Sequence, residues 1–438
     1  MKNYLYKSGV LALFACVLFT SCEPEIDAPV ASSGDADFTK YVAVGNSLTA
    51  GYQDDGLYRE GQLNSYPAIL AKQFALAGGG EFVQPLFSEA EASGSGHLML
   101  SGFTANGLPI TSRVAATAER GTGADGRTKL YTEFLEEVNN LGVPGIKMAD
   151  VKTAGYGLNN PLGFNPYYER LIGNDPTPTS GFMPYVSKVA TTNPTFFTMW
   201  LGNNDVLGYA TSGGQLPISD PAKFQEGLNA MMAVLTANGA EGAVMNIPDV
   251  TGIPFFTAKA TAALIQAAAA AKTNLFITTG TGQVRAATVE DYVLLTSTVG
   301  TPEAVGPATI PHGFSPYNPL RNGEVLDNAE VTAVQTATAD FNSRIAAAAQ
   351  TNDLALVDMN AFFKTAQMVN GQPNLVYNGV AYTPAFISGN IFSLDGVHPT
   401  PRGYAIIANQ IIKGINAKYG ASVPLVDETQ YRAVLFPN

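Results

Sequence analysis

Apolar residues in this chain fall into two alternating patterns. Short unbroken runs at residues 41–44, 195–201, 243–247 and 354–357 each end at a Gly, Asn or Asp or beside a Pro. Such runs predict strands covered on both faces. Longer stretches carry apolar positions three or four residues apart, as in Val331, Val334, Ala337, Phe341, Ile345 and Ala348. That spacing predicts a helix over 329–349, and similar patterns predict helices at 66–76, 130–140, 224–235, 258–272 and 401–418. Repeated strand-then-helix alternation implies a parallel sheet flanked by helices, an α/β fold. Three regions break the rhythm. Residues 78–128 are rich in Gly and Ser and read as hairpins or an ordered lid. The region 156–185, dense in Pro, Gly, Asn and aromatics, reads as irregular chain, either a surface loop or a cleft wall. Residues 280–325 mix Thr, Val, Pro and Gly without clear order.

The first residues read as an address. Lys2 and Lys7 precede an apolar run over 9–19, roughly 17 Å long as a helix and too short for a ~30 Å hydrocarbon core. Residues 1–21 therefore fit a secretory signal peptide. The segment Leu18-Phe-Thr-Ser-Cys22 also resembles a bacterial lipobox, which implies cleavage before Cys22 and lipidation of its thiol. Residues 22–37 would then be a flexible tether. The expected location is outside the cytoplasm, lipid-anchored to a bacterial, outer membrane on its periplasmic or cell-surface side.

Composition narrows the chemistry. The chain has two cysteines, Cys16 and Cys22, so processing leaves no thiol for an internal disulfide or a metal site. The formal charge is −12, and losing Lys2 and Lys7 makes it −14. Such an acidic chain lacks the footprint of a nucleic-acid binder. Asp54 and Asp55 read as a solvated pair, with no neighbouring ligands that suggest a metal.

Ser47 follows the first strand in the turn Gly45-Asn46-Ser47-Leu48, at the strand end where open α/β sheets place ligands. A hydroxyl nucleophile needs a base, and the chain offers three histidines, His97, His312 and His398. The first two lie in irregular regions and read as surface residues. His398 stands three residues after Asp395 and just before Thr400 and Pro401, which suit an N-cap and a first helical position. A turn of that length lets Asp395 hold one imidazole nitrogen while the other points outward, as in a Ser-His-Asp triad. Asp358, at the end of the 354–357 strand, is the competing carboxylate.

In four ordered blocks the sequence resembles the SGNH (GDSL-type) hydrolases. Gly45-Asn46-Ser47-Leu48 looks like the first, although Asn46 stands where the family name has Asp. Asn140-Leu-Gly-Val-Pro-Gly145 looks like the second, Gly202-Asn-Asn-Asp205 the third, and Asp395-Gly-Val-His398 the last. The resemblance implies a three-layer α/β/α sandwich with a parallel, flavodoxin-like sheet and long loop insertions at about 78–128, 155–190 and 280–325. It implies Ser47, Asp395 and His398 as catalytic residues. It also implies an oxyanion hole of Ser47, Gly145 and Asn204, with Gly142 competing for the place of Gly145. No metal or organic cofactor is implied. Because these blocks must converge, residues 38–438 read as one hydrolase domain. The expected activity is a serine esterase acting on lipid, acetylated-glycan or small aryl and alkyl esters. A catalytically silent surface lipoprotein that binds glycan or lipid is the alternative.

Overall fold

The computed structural model describes residues 30–105, 107, 109–173, 182–369 and 372–437, so the expected signal segment and Cys22 lie outside the described residues. Five parallel strands form the central sheet: β1 (Tyr41–Gly45), β2 (Asn140–Gly142), β3 (Phe196–Trp200), β4 (Glu241–Met245) and β5 (Ala355–Val357). Their order is β5-β4-β3-β1-β2, the doubly wound arrangement whose strand order reverses between β1 and β3. All five residues of β1 and of β3 are buried, which explains why these segments are apolar without alternation.

Helices cover the sheet. Helix α1 (Ser47–Ala50) follows β1, and α2 (Tyr66–Leu76) starts from an N-cap at Ser65. Helix α3 (Asn203–Thr211) follows β3, and α4 (Pro221–Leu235) is capped by Asp220. Helix α5 (Asn328–Thr351) opens with a capping box of Asp327 and Glu330. Helix α6 (Pro401–Tyr419) has Thr400 as N-cap, its hydroxyl accepting the Gly403 N–H, and Pro401 as its first residue. Helices α2 and α6 pack together, as do α4 and α5, the latter through stacked Phe224 and Phe341 rings with centroids 4.1 Å apart. The result is the expected α/β sandwich, with a hydrophobic core that takes residues from Ala36 to Val423.

Several local expectations fail. Residues 130–140 are not helical. Lys129–Tyr131 pairs antiparallel with Glu119–Thr122, and Asn140–Gly142 joins the sheet as β2. An isolated helix of that length is marginal; Lys129–Tyr131 closes a local hairpin instead, and Asn140–Gly142 gains pairing with β1. One of the two readings of 78–128 holds, because the region contains a hairpin, His97–Phe103 with Pro109–Val114. In the 156–185 region a regular helix does form, Pro166–Ile172, because the Asn165 side chain caps Tyr167 and Tyr168. Residues 280–325 fold as short antiparallel pairs. Part of that region joins Ala268, Leu275 and Ile277 in a small core of its own. Among the described residues no helix is long and apolar enough to cross a membrane.

Candidate active site

The sheet register brings three of the sequence blocks to one edge. Gly45 pairs with Gly142 on one side and Trp200 on the other. Ser47, Gly145 and Asn204 follow two, three and four residues beyond those paired positions. They therefore emerge together where the strand order reverses, the crevice in which this architecture binds ligands.

Ser47 opens α1. Its own N–H is one of the helix-start donors that have no acceptor within the helix. The side chain of Asn46 accepts the Leu48 N–H at 3.0 Å and so fixes the turn. The Ser47 hydroxyl lies 2.9 Å from His398 Nε2. On the other side of the ring, Nδ1 lies 2.9 Å from Asp395 Oδ2. Asp395 Oδ2 also accepts the Asp55 N–H at 2.9 Å. Asp395 Oδ1 accepts the N–H groups of Val397 and His398, both at 2.8 Å, and the Ser393 hydroxyl at 3.1 Å. Burial pushes the Asp395 carboxyl up, but the His398 charge and these donors outweigh it and hold it down at about 2. An ionised Asp395 keeps the proton on Nδ1 and leaves Nε2 free to accept the Ser47 proton.

Gly142 and Gly145 are told apart by their surroundings. The Gly142 N–H is taken by the Asn140 side chain at 2.9 Å, and a Cβ there would come within 2.2 Å of Ala50 N. Gly142 is thus a close-packing glycine under α1. Gly145 has φ +86°, and it lines the open cleft with Ser47 and Asn204. The Asn204 amide gives one N–H to the Ile146 carbonyl at 2.9 Å, which leaves its second for a ligand. The neighbouring Asp205, fully buried, accepts the Met148 and Ala149 N–H groups at 2.7 and 3.2 Å. It ties the start of α3 to the loop that carries Gly145. Burial raises its carboxyl to about 6.

Two hollows meet at Ser47. One is an open cleft of ≈ 720 Å³. Its walls include Leu98, Tyr167, Leu295 and Thr296, so each of the three insertions reaches the site. The other is a tight, apolar pocket of ≈ 50 Å³ lined by Leu48, Trp200, Leu207, Ile253 and Phe392. Tyr52 lies against the His398 ring, with centroids 4.7 Å apart.

The competing carboxylate and the other candidates take different roles, and the surface readings of His312 and Asp54 are corrected. Asp358 does not reach His398: it caps the helix Met359–Thr365 through the Ala361 N–H at 2.9 Å and accepts from Asn246 at 2.8 Å. His312 is fully buried, between Asn318 and Glu324. His97 is half-buried and stacks on Tyr58 at 4.0 Å. Asp54 is buried rather than solvated, while Asp55 pairs with Arg113 at 2.6 Å. The His97–Tyr58, Asp55–Arg113 and Asp358–Asn246 contacts join residues far apart in the sequence, where spacing carries no signal.

The chain matches the GDSL-like Lipase/Acylhydrolase family over residues 41–411, and it belongs to that family of ester-hydrolysing proteins. Among solved structures it is similar to a lipolytic protein of the G-D-S-L family from Desulfitobacterium hafniense DCB-2, at 12% identity, covering 86% of this chain and 99% of that one, with a TM-score of 0.34. It is also similar to an extracellular lipase from Streptomyces rimosus, at 13% identity, 87% and 99% coverage and a TM-score of 0.32. A phospholipase A1 from Streptomyces albidoflavus NA297 is similar at 13% identity, 87% and 100% coverage and a TM-score of 0.30. No curated protein sequence matches.

Proposed function

We propose that the protein is a serine esterase that cleaves carboxylic esters through an acyl-enzyme. The observation that carries this reading is the unbroken chain Asp395–His398–Ser47, with both links at 2.9 Å, opening onto a cleft that also holds Gly145 and Asn204. Ser47 Oγ attacks the ester carbonyl as His398 Nε2 takes its proton, and Asp395 stabilises the imidazolium. Negative charge on the carbonyl oxygen is met by the Ser47 and Gly145 N–H groups and the free N–H of Asn204. His398 then gives the proton to the departing alcohol. Water, activated by the same imidazole, releases the acid. The tight apolar pocket suits the acyl end and the open cleft the rest of the substrate. Lipid, acetylated-glycan and small aryl or alkyl esters are the candidate classes.

Hydrolysis of a p-nitrophenyl ester series by wild type, and its loss in Ser47→Ala, is the test. Wild-type protein inert toward every ester class would instead favour the silent glycan- or lipid-binding alternative.

For location, we infer that residues 1–21 direct export and that Cys22 carries the lipid that anchors the protein to the membrane. The support is the charged start, the short apolar run and the Leu18-to-Cys22 segment.

A further inference from the structure

The residues behind the Asp395–His398 turn form a continuous polar network that the catalytic chemistry does not itself use. Asp54 and Asp55 sit side by side in the left-handed region, with φ +52° and +55°. They are the two central residues of a tight turn closed by the Gly56 N–H on the Gln53 carbonyl at 3.0 Å. Here the Asp54 N–H reaches Ser393 Oγ and the Asp55 N–H reaches Asp395 Oδ2, both at 2.9 Å. The loop after the nucleophile is thereby bonded directly to the loop of the acid and base, about 340 residues away.

What holds Asp54 in that conformation is its buried side chain. Oδ1 accepts the Leu394 N–H at 3.0 Å, and Oδ2 accepts the Tyr58 hydroxyl at 2.8 Å. The Tyr58 oxygen itself accepts from Gln53 Nε2 and, at 2.9 Å, from Arg432 Nη2. Both of its lone pairs are then occupied, so its proton must go to Asp54. Arg432 is fixed in turn by a two-point ion pair with Glu60, at 2.5 and 2.8 Å. Its backbone carbonyl accepts the Arg402 N–H at 2.9 Å, near the start of α6. Arg432 lies beyond residue 411, where the family match ends.

We propose that Asp54, Tyr58 and Arg432 are positioning residues that fix the Asp395–His398 turn against the Ser47 turn. This rests on the esterase reading. The C-terminal segment thus completes the geometry of the site without touching substrate. The dependence runs in one direction: without Arg432, the Tyr58 hydroxyl is free to rotate away from Asp54. Asp54 then loses the donor that helps to hold its side chain, and the two N–H groups that orient Ser393 and Asp395 are held less firmly.

The test compares Arg432→Ala, Tyr58→Phe and Asp54→Asn with wild type for kcat and KM on a p-nitrophenyl ester, and for Tm. It also follows the downfield NMR resonance of the His398 Nδ1–H. Sub-ångström displacement of a catalytic pair predicts a roughly 10- to 100-fold loss in kcat with KM little changed. The His398 resonance should shift or broaden, and millimolar guanidinium should restore part of the kcat of Arg432→Ala but none of that of Tyr58→Phe. Arg432 is partly exposed at the surface, so its variant remains informative if Asp54→Asn does not fold. Wild-type kcat in folded Arg432→Ala and Tyr58→Phe overturns the proposal, as does a loss that follows only the folded fraction. Should wild type hydrolyse no ester, the esterase reading fails. The NMR resonance then decides the network: unchanged in the variants, it is overturned; displaced, it stands.

Discussion

Replacing Asp395 by Asn is the most demanding perturbation of this site. The carboxylate accepts five hydrogen bonds and donates none: Val397 N, His398 N and Ser393 Oγ at one oxygen, Asp55 N and His398 Nδ1 at the other. An amide must put its NH₂ on one side. Placed at the Oδ1 side it opposes three donors, so the Oδ2 side is the less costly choice. There it faces Nδ1, and the imidazole responds by moving its proton to Nε2. Nε2–H can no longer take the Ser47 proton. The same replacement in the serine-protease triad lowers kcat by ~10⁴, or about 5 kcal/mol of transition-state stabilisation. We expect a loss of that order in Asp395→Asn, measured as kcat on short-chain p-nitrophenyl esters, with KM within a few-fold. Asp358→Asn keeps an oxygen that can still accept from the Ala361 N–H and from Asn246, so it should change stability little and keep its kcat. An Asp395→Asn enzyme within tenfold of wild type, or the reverse ranking of the two variants, would refute the reasoning.

Ser47→Ala should abolish turnover while leaving Tm near wild type, and wild-type-like turnover would remove Ser47 from the mechanism. Asn204→Ala should lower kcat by about 10²-fold with a smaller change in KM; normal kcat with reduced Tm would mean that its amide merely ties the Ile146 carbonyl. Asp395 also carries a pH signature. Its folded-state value of about 2 lies below the usual 3.8, so it contributes stability above pH ~4 that is lost as pH falls through about 2. The stability difference between wild type and Asp395→Asn should therefore shrink by about 2 kcal/mol between pH ~5 and ~2, read by denaturant titration at each pH. A difference independent of pH would contradict that value. Cys22→Ser should release the protein from membranes or block its maturation, whereas unchanged membrane fractionation would rule out the lipid anchor.

Local sequence was enough for the parts of this protein whose physics is local. Unbroken apolar runs marked β1 and β3, because a strand buried on both faces has no polar face to show, and they also marked β4 and the edge strand β5, where Leu356 is nevertheless exposed. Thr400 and Pro401 marked the start of α6, because a cap and a fixed φ act within one turn. The blocks around Ser47, Asn204 and Asp395–His398 were visible as short motifs, each beside a predicted element. Tertiary structure decided everything that depends on partners distant in sequence. It brought the locally paired Asp395 and His398 to Ser47 at the other end of the chain, and it bonded Asp358 to Asn246 on the neighbouring strand's end. It separated Gly142, pressed under Ala50, from Gly145, open to the cleft. It drew Asn140 out of the 130–140 helical pattern into β2, because pairing with β1, far earlier in the chain, was available there. It buried Asp54, in the loop just after the most legible motif, in a network that reaches Arg432 at the other end of the chain. Spacing encodes what a residue does to its neighbours within a turn or two, and these bonds span hundreds of residues.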